Sequence, residues 1–122
     1  MEKRSSLSRA IARQYGEALI AAGKHEEATR FLRDQTQLYR EEPKLHDMLA
    51  RTYAKQGKIA LQHMALAESY ALAGALPAAV AQLDLARKAG DVSFYDQAVI
   101  DARERELKAR QKAEKETEKD FP

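Results

Sequence analysis

Hydrophobic residues recur along this chain at intervals of three and four, which places them on one face of an α-helix. Two clear stripes of this kind are Leu45, Leu49, Thr52, Tyr53 and Gln56, and Val80, Leu83 and Ala86. Glycine or proline interrupts the pattern at Gly23, Pro43, Gly57, Gly74, Pro77 and Gly90. The pattern predicts an all-α fold with helices over 8–22, 25–41, 44–56, 59–73, 77–89 and 94–118.

Charged residues are distributed unevenly, which indicates how deeply each predicted helix is buried. Within 59–86 only Glu68 and Asp84 carry charge, so we expect neighbouring helices to cover these two segments on most sides. Within 101–120 there are seven acidic and seven basic residues. Such mixing is typical of a solvated helix, and we expect this helix to fray beyond Lys112.

The same features divide the chain into four predicted parts. They are a leader or cloning remnant over 1–8, helical hairpins over 9–93, a capping helix over 94–112 and a charged, frayed tail over 113–122. Ser93, followed three residues later by Asp96, predicts a capped start for the last helix.

The composition supports a helical fold and excludes several other classes. Alanine fills 23 of the 122 positions, and alanine favours helices whereas strands favour branched and aromatic residues. With 44% hydrophobic and 33% charged residues, the chain resembles neither a disordered nor a membrane-spanning sequence, and we expect no membrane insertion. The absence of cysteine excludes disulfides, thiolate metal sites and thiol nucleophiles. The net charge of +2 is too small and too dispersed for a nucleic-acid footprint.

Gly23, Gly57 and Gly90 lie 34 and 33 residues apart, a period typical of the tetratricopeptide (TPR) repeat. The chain resembles that family most closely at Leu66, Ala67, Tyr70, Gly74, Ala79, Leu83 and Ala86. Half of the motif recurs at Leu49, Ala50, Tyr53 and Gly57, and a weaker version at Tyr15, Gly16, Leu19, Gly23, Ala28 and Leu32. The resemblance implies a TPR-like array of antiparallel helical hairpins, about six helices in all, with a C-terminal capping helix. A generic helical bundle is the alternative.

One irregularity leaves the repeat count open. Gly57 and Gly74 are only 17 residues apart. The segment 59–73 must then end one hairpin and also resemble the first helix of the next. The chain therefore contains either two good units and a partial one, or three hairpins in register.

A closer resemblance lies in the order of several segments. These are Leu61–Tyr70, Leu76–Ala79, Gln82-Leu83, Ala86–Asp91, Phe94-Tyr95 and Val99–Arg103. Together they resemble the C-terminal repeat region of bacterial periplasmic M48-family zinc metallopeptidases of the β-barrel assembly-enhancing type. The resemblance implies a periplasmic, non-catalytic domain in outer-membrane protein quality control. Its partner would be the protease domain, a substrate or an outer-membrane assembly machine. A free-standing adaptor for a cytoplasmic peptide is the alternative.

The zinc motif of those peptidases is absent from this chain. Zinc proteases of this kind carry His-Glu-x-x-His on a helix, but here His25-Glu26 is followed by Thr29 at the position of the second histidine. We therefore expect no catalytic residues, no metal and no cofactor in this chain, with zinc confined to a separate protease domain. His63, in the charge-poor stretch, is interpreted as a hydrogen-bonded packing residue.

The remaining candidate site is a groove for a protein or peptide. In arrays of helical hairpins the first helix of each hairpin lines the concave side. The groove positions of the first two hairpins are Arg13, Glu17, Asp47, Arg51 and Lys55. The chain contains no asparagine, so it cannot complete the Asn-containing clamp with which some repeat proteins hold a terminal carboxylate. Mixed charge suits a peptide matched by electrostatics, although the same residues could be merely solvated charges. Self-association through an exposed end of the array is a further expectation.

Overall fold

The computed structural model describes the backbone of residues 2–119 and the side chains of residues 7–119. Within that part of the chain the fold is all-α and contains no strand, which confirms the predicted class. Six helices follow in order: α1 (Glu2–Ala21), α2 (His25–Leu38), α3 (Pro43–Lys55), α4 (Ile59–Leu72), α5 (Leu76–Lys88) and α6 (Phe94–Lys119).

The helix bounds differ from the predicted ones mainly at the two ends of the chain. α1 begins at Glu2, inside the segment predicted as a leader, and α6 continues to Lys119, past the predicted start of fraying at Lys112. Met1 of the predicted leader and residues 120–122 of the predicted tail lie outside the described residues. The hydroxyl of Ser93 accepts the backbone N–H of Asp96 at 3.0 Å, which is the predicted cap.

Three of the five turns share one backbone geometry. Gly23, Gly57 and Gly74 follow α1, α3 and α4 with φ of 73°, 71° and 79°, a left-handed conformation that glycine adopts without steric cost. In each turn the glycine N–H bonds the carbonyl three residues back, and the next N–H bonds the carbonyl five residues back. This arrangement satisfies the last helix carbonyls and lets the next helix begin two residues after the glycine.

The other two turns, α2–α3 and α5–α6, have a second geometry. The carbonyl of Tyr39 accepts the N–H of Glu42 at 3.2 Å, and the carbonyl of Ala89 accepts that of Val92 at 3.3 Å. Glycine turns therefore join α1 to α2, α3 to α4 and α4 to α5, and turns of the second geometry join α2 to α3 and α5 to α6. Two glycine turns flank α4, so this helix folds back on both α3 and α5.

Each helix packs against the next one along the chain, and α4 packs against three helices, α3, α5 and α6. Contacts between helices two apart occur for α1 with α3 and for α4 with α6. Small residues make this crowding around α4 sterically feasible: its buried positions are Ala60, Ala65, Ala67 and Ala71.

The core consists of two clusters that meet at α4. Ala65 of α4 belongs to the first cluster, with Leu32, Leu45, Met48 and Tyr53. Its Ala67 and Ala71 belong to the second, which contains Leu76, Ala79, Leu83, Ala86, Ile100 and Leu107. One helix therefore supplies small residues to both halves of the molecule.

The N-terminus of α4 is capped by a residue distant in sequence. Lys58 precedes α4 and makes no side-chain cap hydrogen bond. Instead the carboxylate of Asp91, in the α5–α6 turn, accepts the N–H of Ile59 at 2.8 Å and that of Ala60 at 2.9 Å. An anion at a helix N-terminus is also favoured by the helix dipole, so Asp91 ties the α5–α6 turn to α4.

Replacing Asp91 with alanine should therefore destabilise the protein, because two helix N–H groups lose their acceptor. A loss of about 1–2 kcal/mol in the free energy of unfolding is expected, measured by urea denaturation followed by circular dichroism. Asp34→Ala, at an exposed position of α2, is the matched control and should leave the midpoint unchanged. An unchanged midpoint for Asp91→Ala would contradict the proposed cap.

Burial of Tyr53 makes the free energy of unfolding depend on pH in the alkaline range. Its side chain is only 5% exposed, and burial raises the pKa of its hydroxyl above 10.0, an effect that nearby Arg33 opposes and Asp96 reinforces. The folded state thus favours neutral tyrosine. The stabilisation of the fold by neutral Tyr53 is therefore complete below pH 10, and it is lost as the pH rises through the folded-state pKa.

Tyr53→Phe should therefore lose less free energy of unfolding than the wild type between about pH 9 and about pH 11. Urea denaturation at each pH measures this difference. Tyr95→Phe, at a 77% exposed position, should follow the wild-type pH dependence. Parallel curves for wild type and Tyr53→Phe would refute the role of burial.

Candidate functional site

Four of the five predicted groove residues line one continuous surface, here named the α1–α3 groove. It consists of Arg13 and Glu17 of α1, Lys44, Asp47, Met48 and Arg51 of α3, and Leu66 of α4. The part between α3 and α4 encloses about 600 Å³. Lys55 is exposed in the last turn of α3 and does not line this space.

Four of the charged side chains of the α1–α3 groove contact one another or close neighbours. Arg51 donates to the Glu17 carboxylate at 2.5 Å, which joins α3 to α1. Asp47 accepts the Ser69 hydroxyl, and Arg13 lies 3.4 Å from the Glu42 carboxylate.

The Glu17–Arg51 pair is weak enough to be exchanged for contacts with a ligand. Their side chains are 53% and 54% exposed, and ion pairs at such exposure contribute about 0–1 kcal/mol to stability. Lys44 is also exposed, while the half-buried Leu66 adds apolar surface between the charges. The groove thus offers both signs of charge beside a small apolar floor.

The predicted repeat positions fall mostly in turns and in the core. Gly23, Gly57 and Gly74 occupy the left-handed turns. The buried positions, between 0% and 5% exposed, are Ala50, Tyr53, Ala67, Ala79, Leu83 and Ala86. Tyr70 differs, because it is 38% exposed, on a part of α4 that its neighbours leave open.

A second surface, which sequence reasoning missed, lies between α2 and α6. This α2–α6 cleft has a volume of about 220 Å³ and an apolar floor that includes Leu49, Tyr53, Leu61, Met64 and Val99. It forms because α2 and α6 pack on different helices and do not meet, which leaves α3 and α4 uncovered between them.

An ion pair lies at the edge of the α2–α6 cleft. The Arg103 guanidinium on α6 donates two hydrogen bonds to the Glu68 carboxylate on α4, at 2.8 and 2.9 Å. Hydrogen bonding to Glu68 raises the pKa of Arg103, so the cation is retained. The sequence held a signal for this contact, since a lone charge in a charge-poor helix needs a partner when that helix is covered.

His63 is held by a hydrogen bond between two helices. His63 Nδ1 lies 2.7 Å from the Gln82 side-chain oxygen on α5, so it is hydrogen-bonded between α4 and α5, consistent with the packing interpretation. In the part of the chain that the structure describes, no group of three or more His, Asp or Glu side chains is arranged to hold a metal ion. Over the same residues, every helix is too short or too polar to cross a membrane.

Comparison of the sequence with models of protein families and with curated proteins gives no match. A function is therefore inferred from the two surfaces just described and from the resemblances carried by the residues themselves.

Proposed function

We propose that the chain is a non-catalytic scaffold for protein–protein contact, built as a TPR-like array of antiparallel helical hairpins. The observation that carries this proposal is the α1–α3 groove, where two helices from different hairpins place both signs of charge beside an apolar floor. Open grooves of this kind suit extended or helical peptides.

The turn geometry supports the hairpin array. The glycine turns join α1 to α2, α3 to α4 and α4 to α5, and a short turn between packed helices produces an antiparallel hairpin. The second turn type, found at α2–α3 and α5–α6, then connects successive hairpins. In this scheme α4 belongs to two hairpins and α6 caps the array.

A peptide would bind the α1–α3 groove by replacing weak internal pairs. Displacing Arg51 from Glu17 frees one cation and one anion at little cost, because both groups are already half-exposed. Side chains of opposite charge on the ligand would take these places, and its apolar residues would cover Leu66. Specificity would come from the order of charges along the peptide.

By the resemblance to periplasmic M48 metallopeptidases, we propose that the domain acts beside a zinc protease domain in outer-membrane protein quality control. The parent reading frame tests this assignment. An upstream His-Glu-x-x-His behind a signal peptide would support it. A genuine start codon at Met1 would overturn it and leave a free-standing adaptor. Copurification with the protease domain, and altered protease activity after deletion of this chain, are the corresponding biochemical expectations.

Charge reversal at Arg51 should disrupt peptide binding in the α1–α3 groove. Overlapping peptides from outer-membrane β-barrel proteins serve as probes, and fluorescence anisotropy gives the affinity of the best binder. Arg51→Glu should weaken that affinity by about tenfold or more, because it places two acidic groups together. Arg105→Glu, an exposed change on α6, is the matched control. Equal affinities for both variants would exclude this groove as the site.

A further inference from the structure

Helix α1 carries two apolar stripes that lie side by side, about 100° apart around the helix axis. One stripe packs into the protein through Ala12, Gly16 and Leu19, all of them buried. The other carries Leu7, Ile11 and Tyr15, which are 61%, 55% and 47% exposed, and continues with the exposed residues Ala18 and Ala22. A wide apolar stripe on a helix is normally covered by a packing partner, and here only half of the stripe packs against the rest of the chain.

The outward face of α1 carries no charge. Between Leu7 and Ala22 the charged residues are Arg9, Arg13 and Glu17. These three point toward α3 and the turn before it, since both arginines lie within 4.0 Å of Glu42 and Glu17 pairs with Arg51.

The apolar surface extends from α1 onto α2. The Phe31 ring meets the Tyr15 ring edge-on, with centroids 4.7 Å apart and planes at 81°. Leu38 of α2 is also exposed, but it lies beside Arg9 and Glu42 and is not part of this surface. We name this surface the end face and define it by Leu7, Ile11, Tyr15 and Ala18 of α1, Ala22 directly after α1, and Phe31 of α2.

We propose that the end face binds a second copy of this chain, with the two α1 helices antiparallel about a two-fold axis. The sizes of the residues along α1 favour this occupant. With the axis between Gln14 and Tyr15, Leu7 faces Ala22 of the second copy and Ile11 faces its Ala18. Each large residue meets a small one, as close helix packing requires, and the same patch serves both copies, as two-fold symmetry requires.

The centre of this interface is aromatic. The Tyr15 rings of the two copies lie beside the axis, each already in contact with Phe31 of its own α2. The two-fold axis places α2 of each copy on the same side, so the dimer contact is a bundle of four helices with the aromatic rings at its middle. Edge-to-face aromatic contacts of this kind stabilise an interface beyond the area they bury.

The available area is sufficient for a reversible dimer. Residues 7–22 of α1 span about 24 Å, and α1 with α2 beside it is about 20 Å wide. The two copies together would bury about 1,000 Å², the lower limit for a specific interface. The dimer should therefore dissociate on dilution.

Sedimentation equilibrium from about 1 to about 200 µM tests the association. The wild type should shift from monomer to dimer across this range. Ile11→Arg, which buries an unpaired charge against Ala18, should stay monomeric with an unchanged helical circular dichroism spectrum. Leu85→Arg alters an apolar residue of α5 with 47% exposure and should dimerise like the wild type. A wild type that is monomeric throughout, or an equal loss of dimer in both variants, would overturn the proposal.

Single cysteines test the register, because the chain contains none of its own. Gln14→Cys lies beside the proposed axis, so oxidation or a short bifunctional thiol reagent should link two copies covalently. Leu7→Cys should not be linked in this way, since the two Leu7 positions lie about 22 Å apart along antiparallel helices. Equal cross-linking of both variants would exclude the antiparallel register. A Gln14→Cys protein that stays unlinked at dimer-forming concentrations would exclude the α1 contact.

Discussion

The close packing of three helices around α4 is the constraint on which the rest of this structure depends. Helix axes approach closely only where small residues lie at the contact, and the residues that α4 buries are alanines. Ala65 faces the first core cluster, while Ala67 and Ala71 face the second. A larger residue at these positions would push α3, α5 or α6 away and would separate the two halves of the core.

Both candidate surfaces depend on the position of α4. The glycine turns at Gly57 and Gly74 fold α3 and α5 back against it, and the Asp91 carboxylate and the Glu68–Arg103 ion pair attach the α5–α6 turn and α6 to it. The α1–α3 groove and the α2–α6 cleft form where the other helices stop short of covering α3 and α4. Binding surfaces on such rigid helices keep their shape better than surfaces on loops.

The sequence was sufficient to locate the helices. Left-handed glycines and helix-starting prolines act locally, so Gly57, Gly74 and Pro77 mark helix ends without knowledge of the fold. The 17-residue interval between Gly57 and Gly74 predicted that the segment 59–73 would end one hairpin and resemble the first helix of the next, and α4 carries glycine turns at both ends. The charge-poor stretch predicted that α4 and α5 would be covered on most sides. α4 packs against three helices, but α5 packs against two, and the more charged α3 also packs against three.

Contacts between residues that are distant in the sequence could not be predicted from local sequence patterns. Asp91 caps a helix 31 and 32 residues earlier in the chain, and no spacing rule links the two. The α2–α6 cleft arises from which helices do not touch, a property of the whole arrangement. Tyr70 matches a repeat position but is partly exposed, because a motif predicts which residue type fits a place and tertiary packing decides how far it is covered.

Native-state hydrogen exchange in increasing urea tests most directly whether α4 joins the two halves into one cooperative unit. Buried amides of α3 report on the first cluster, and those of α5 report on the second. If α4 joins the two halves, both sets should exchange with the same free energy of opening, because either half loses its packing once α4 is released. A markedly lower free energy of opening for one set, with the other still protected, would show that the halves unfold independently and would contradict the central role of α4.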